Sequence, residues 1–80
     1  MTKEIKLFWD FRGPASAGTA EHFEKHLRHY LAEQGEDALL TGFQVVSEAH
    51  AYSYVIIPRE LLERIKRDLK PHRGELYAQD

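Results

Sequence analysis

The sequence predicts an α+β domain of two layers: a ferredoxin-like split β-α-β sandwich, with an antiparallel sheet carrying two helices on one face. Three observations lead there. Apolar residues alternate with period two near the N-terminus and again in mid-chain. Two other stretches repeat their apolar residues at helical spacing. The segments follow one another as β-α-β-β-α, with room for a short final β, and that order defines the class.

The first strand is read from Ile5, Leu7, Trp9 and Phe11, which share one face. Phe8 falls on the other face, together with Asp10 and Arg12. Gly13-Pro14 punctuates the strand end. The first helix is predicted over Thr19 to Gln34, because Ala20, Phe23, Leu27, Tyr30 and Leu31 form one stripe. Thr19 is its expected N-cap, Glu21 sits favourably for the helix dipole, and Gly35 suits the C′ position. A start at Ser16 would place Gly18 in the first turn, at a cost in helix propensity.

Two strands follow, Phe43–Ser47 and Ala51–Ile57, rich in β-branched and aromatic residues. The connection from Ser47 to His50 has no glycine, so a bulged turn or one long bent strand is expected. Pro58 is expected at N1 of a second helix, whose stripe is Leu61, Leu62, Ile65 and Leu69. Lys70-Pro71 ends it. Residues 71–80 are then a C-terminal tail or a short edge strand over Glu75–Ala78. Trp9, Phe23, Leu27, Val55, Ile65 and Leu69 are the expected core.

At 80 residues the chain is long enough for one domain, taken as residues 1–80. With 42% apolar residues and a net charge of −2, it is too hydrophobic to be disordered. It has no cysteine, which excludes disulfides, thiolate metal sites and thiol nucleophiles. No apolar run approaches the roughly 20 residues that span a bilayer, so no membrane partner is expected and a cytoplasmic location is the default. Eleven basic against thirteen acidic residues argue against a dedicated nucleic-acid binder.

Three features bear on function. His22, His26, His29 and Glu33 form one row on the first helix, directed away from its apolar stripe. Histidines at i and i+4 are a chelating spacing, so the row is a candidate for weak zinc or nickel binding, with an ordinary solvated helix face as the alternative. The loop from Arg12 to Thr19 leads into a helix N-terminus but is neither a Walker loop nor a dinucleotide fingerprint. Finally, Phe8, Tyr52, Tyr54 and Ile56 are expected on the sheet face that the helices leave open. The spacing of Ala51-Tyr52-Ser53-Tyr54-Val55 resembles the base-stacking strand of the RNA-recognition motif, although His50 stands where that motif has its glycine.

An apolar open face suits a homodimer interface. The expected function is therefore a self-associating interaction module. One alternative is a small dimeric enzyme with an aromatic pocket lined by Trp9, Tyr52 and Tyr54. In it a histidine or an aspartate would be the base, Asp10 being an acid–base candidate with Arg12 or a tyrosine hydroxyl as its partner. The other alternative is a metal-binding protein using the histidine row. No Gly-x-Ser-x-Gly elbow and no closely paired carboxylates in an apolar setting are present.

Overall fold

A computed structural model describes residues 3–79. Four strands and two helices occur in the order β1 (Lys3–Arg12), α1 (Ser16–Glu33), β2 (Leu40–Ser47), β3 (His50–Pro58), α2 (Leu62–Leu69) and β4 (Arg73–Gln79). A single 3-10 turn, Arg59–Leu61, joins β3 to α2. The strands form one open sheet in the order β2-β3-β1-β4, and each neighbouring pair is antiparallel.

The alternation in β1 sorts the layers. Leu7 and Trp9 are buried on the helix side with Val55 and Ile57 of β3, Leu27 and Leu31 of α1, and Ile65 of α2. Ile5, Phe11, Phe23, Tyr30, Leu39 and Leu69 pack around them. Trp9 also donates its indole N–H to the Leu69 carbonyl at 2.8 Å, which ties the sheet to the end of α2 and satisfies the one polar atom of the ring. Of the expected core, Phe23 and Leu69 are half-buried rather than sealed.

Four boundaries differ from the sequence reading. Helix α1 begins at Ser16 rather than Thr19 and includes Gly18. Gly13, at φ +104°, turns the chain, and its N–H is held by the Ala49 carbonyl at 2.9 Å. The chain then coils at once, and complete burial of Ala20 offsets the roughly 1 kcal/mol glycine cost. As a result Glu21 lies beyond the first turn, which has no acidic residue.

Strand β2 starts at Leu40, three residues before the expected Phe43. Pro58 closes β3 with extended geometry (ψ 152°) instead of opening a helix, and the 3-10 turn intervenes. The last strand, the least marked in the sequence, runs from Arg73 to Gln79, longer than the expected Glu75–Ala78. The β2–β3 connection is a bulged turn, with the register shifting between Val45 and Ser47. Gly35, at φ +77°, follows α1 as expected. Among the described residues no helix is long and apolar enough to cross a membrane.

Candidate functional site

The face of the sheet away from the helices brings together most of the residues singled out in the sequence. Cross-strand partners share a face, so the register places Phe8 beside Tyr54, Asp10 beside Tyr52 and Arg12 beside His50. On the other side of β1, Phe8 faces Arg73 and Lys6 faces Glu75 of β4.

The aromatic residues form a connected row. Phe8 meets Tyr52 edge-on with ring centroids 5.2 Å apart, and Tyr52 meets Tyr54 at 6.2 Å. Two cations lie over them. The Arg73 guanidinium is 3.9 Å from the centre of the Phe8 ring, and the Lys6 ammonium is 4.3 Å from that of Tyr54. These side chains close off part of the face within a single chain. Phe8 is 3% exposed and Ile56 5%, although both belong to the layer that no helix covers. Tyr52 and Tyr54 are half-buried. The expectation of dimerisation through this face rested on all four side chains being open, and two of them are not.

At one end of the row sits a polar cluster centred on Asp10. Arg73 Nε donates to Asp10 Oδ2 at 2.8 Å, and a second guanidinium nitrogen reaches Oδ1 at 3.3 Å, a two-point contact of planar groups. His50 Nε2 lies 2.9 Å from Oδ1. The expected partner, Arg12, is exposed, and the described ion pairs of Asp10 go to Arg73 and His50 instead.

The Arg73 hydrogen bond holds the Asp10 carboxyl down to about 2, against the opposing effect of burial and with further help from His50. Asp10 raises the pKa of Arg73 in turn. An ionised carboxylate can only accept, so the shared proton sits on His50 Nε2, and Nδ1 keeps the lone pair in the neutral ring. A base oriented by a carboxylate is the arrangement that general-base chemistry needs. The Asp10 backbone N–H donates to His72 Nδ1 at 2.8 Å, which fixes that ring at the edge of the cluster.

His50, Arg73, Lys6 and His72 were not singled out by sequence reasoning. Arg73 was hidden because the last strand was expected to start two residues later. His50 was hidden because it was assigned to a loop. With both strands at full length, the register sets His50 opposite Arg12 and Arg73 opposite Phe8, each diagonal to Asp10 on the same face.

A pocket lined by Trp9 together with Tyr52 and Tyr54 does not form. Trp9 lies on the helix side of β1 and the tyrosines on the other. The larger concavity, of about 420 Å3, is instead a groove between α2 and β4, lined by Ile5, Leu7, Leu62, Lys66 and Leu76 among others. Gly74 lies there in close contact with Leu7, and α2 is only about two turns long.

The histidine row divides into two pairs. His22 and His26 bring their Nε2 atoms within 3.0 Å, and both are exposed. His29 turns instead to Glu33, at 3.5 Å. Among the described residues no group of three histidine, aspartate or glutamate side chains converges as a metal shell would require. The His22–His26 pair still presents two ligands to one side of the helix. The loop from Arg12 to Thr19 is tied down by its own backbone hydrogen bonds, Ser16 N–H to Gly13 O and Thr19 N–H to Ala15 O, both at 3.0 Å.

No known family model matches the chain, and no match was found among curated proteins or solved structures.

Proposed function

We propose that this chain is a small self-associating binding module of the ferredoxin-like class, joined through its sheet and working with the open sheet face. The class is supported by the strand order β2-β3-β1-β4 and by the two β-α-β crossovers, each leaving a gap that the other half fills. The observation that carries the functional reading is the open face itself. It gathers Phe8, Tyr52 and Tyr54, two cations and the Asp10–His50 pair into one surface with no layer above it. A module that only needed to fold would be expected to cover such a face with simple polar residues.

Light scattering during size-exclusion chromatography tests the reading. A dimer is expected at micromolar concentration, and a monomer at every concentration would defeat it. Tyr54→Asp reports whether the face itself is the contact.

A second reading, a small enzyme, is favoured by one specific observation: His50 is oriented by a carboxylate that Arg73 keeps ionised. A ligand screen followed by NMR tests it. Small acids and aromatic compounds should shift the signals of His50, Tyr52 and Arg73 together. Shifts confined to the α2–β4 groove would point away from this site.

A further inference from the structure

The two edges of the sheet are not alike. Strand β4, at one edge, carries Arg73 and Glu75 beside exposed Leu76 and Tyr77, and both edge strands have one pairing irregularity, β4 opposite Glu4 and Ile5 and β2 between Val45 and Ser47. Charges are one of the usual ways in which proteins keep an exposed edge from pairing further. Strand β2, at the other edge, has the sequence Leu-Thr-Gly-Phe-Gln-Val-Val-Ser, without a charged residue or a proline. It is also where exposed apolar side chains concentrate. Leu40 is 58% exposed, Phe43 38%, Val45 45% and Val46 55%. Tyr54 lies against Gly42 so closely that an added Cβ would come within 2.5 Å of its hydroxyl. That ring supports the strand at its weakest residue from the inner side and leaves the outer edge bare.

We infer that β2 pairs with β2 of a second copy of this chain, antiparallel about a two-fold axis at Phe43, joining two four-stranded sheets into one of eight. The inference rests on the self-association proposed above and specifies its contact.

The occupant follows from self-complementarity. A two-fold normal to the sheet keeps both helix layers on the same side, and it must then fall on a residue, because successive residues point to opposite faces. With the axis at Phe43, Phe43 meets its own copy and Val45 falls opposite Thr41 of the partner subunit, while Val46, at the register shift, ends the paired stretch beside Leu40 of the partner subunit. Moving the axis to Gly42 sets Leu40 against a glutamine, and moving it to Gln44 sets Leu40 against Glu48. A strand without charge meets no like charge when it pairs with itself. The aromatic face then runs on across the joined sheet, uncovered and free for a ligand.

The absence of native cysteine gives the test a clean background. Phe43→Cys should form an intermolecular disulfide on mild oxidation, since directly opposed strand residues lie within disulfide reach. Leu40→Cys or Val45→Cys alone should not, whereas Val45→Cys mixed with Thr41→Cys should. Phe43→Lys and Val45→Lys change exposed positions and should leave the melting curve intact while weakening the dimer at least tenfold. Tyr52→Asp, on the open face and opposite Gln44 rather than against Gly42, should leave it in place.

A dimer that survives both lysine variants and dissociates with Tyr52→Asp overturns the edge contact and leaves self-association standing. A wild-type chain that is monomeric throughout overturns both. Crosslinking of Leu40→Cys with itself, without crosslinking of Phe43→Cys, overturns the register.

Discussion

Replacing Asp10 with asparagine keeps the size of the side chain and removes its charge. In the native chain this carboxylate is only 17% exposed, and it accepts two bonds from Arg73 and one from His50. Its pKa is held at about 2, against 3.8 for the ordinary group. The folded state therefore binds this proton less readily than the unfolded chain, and the ionised carboxylate stabilises the fold. The difference corresponds to at most about 2–3 kcal/mol. Solvent screening lowers this to about 1–2 kcal/mol, because the Arg73 side chain is 45% exposed.

The sign for a depressed acid is fixed. The contribution is fully present above about pH 4 and is lost as the pH falls from there towards 2. Urea melts of the wild type and Asp10→Asn should therefore differ by about 1–2 kcal/mol at pH 7 and converge towards pH 2. A difference that stays constant over this range would mean that asparagine only disturbs packing. A difference below about 0.3 kcal/mol at pH 7 would mean that the Arg73–Asp10–His50 cluster contributes nothing to the fold.

Leu27→Ala removes a fully buried core side chain (1% exposed) and should cost about 2–5 kcal/mol in the same melts. Ser16→Ala should do the opposite. Ser16 Oγ is buried without a hydrogen-bond partner, so removing it should raise stability by about 1 kcal/mol, and a loss of that size would show that the hydroxyl is satisfied by water. The His22–His26 pair, with its ring nitrogens 3.0 Å apart, should bind zinc or nickel measurably but weakly in a calorimetric titration at pH 7.5. Such binding should vanish in the His22→Ala, His26→Ala double variant. Absence of heat at pH 7.5 would leave the row a solvated helix face.

The architecture was legible because the layers are written in periodicity. Ile5, Leu7, Trp9 and Phe11 alternate, Leu27 and Leu31 stack by turns, and each set faces the other across the core. Element ends were less legible, since they depend on tertiary contacts. Ser16 begins α1 although Gly18 disfavours it, because the turn at Gly13 is anchored to Ala49 across the hairpin. Strand β4 has little hydrophobic signal of its own. It forms by pairing with β1, a partner almost seventy residues away in sequence.

The site followed the same rule. Phe8, Asp10, Tyr52, Tyr54 and Ile56 could be placed on one face from alternation alone. Lys6 lies inside the predicted first strand, but Arg73 and His50, the partners that ionise Asp10, come from strand ends that the sequence pattern does not mark. The exposed edge of β2 was also invisible beforehand. Which strand is outermost is a property of sheet order, and no single strand's sequence states it.

Amide hydrogen exchange of the wild-type chain, compared at dilute and concentrated protein, tests the central claim most directly. Association through the sheet predicts that amides of β2 between Leu40 and Val46 slow as concentration rises, while those of α1 and of the α2–β4 groove do not change. Exchange in β2 that is independent of concentration up to the millimolar range, or slowing confined to the helices, would contradict it.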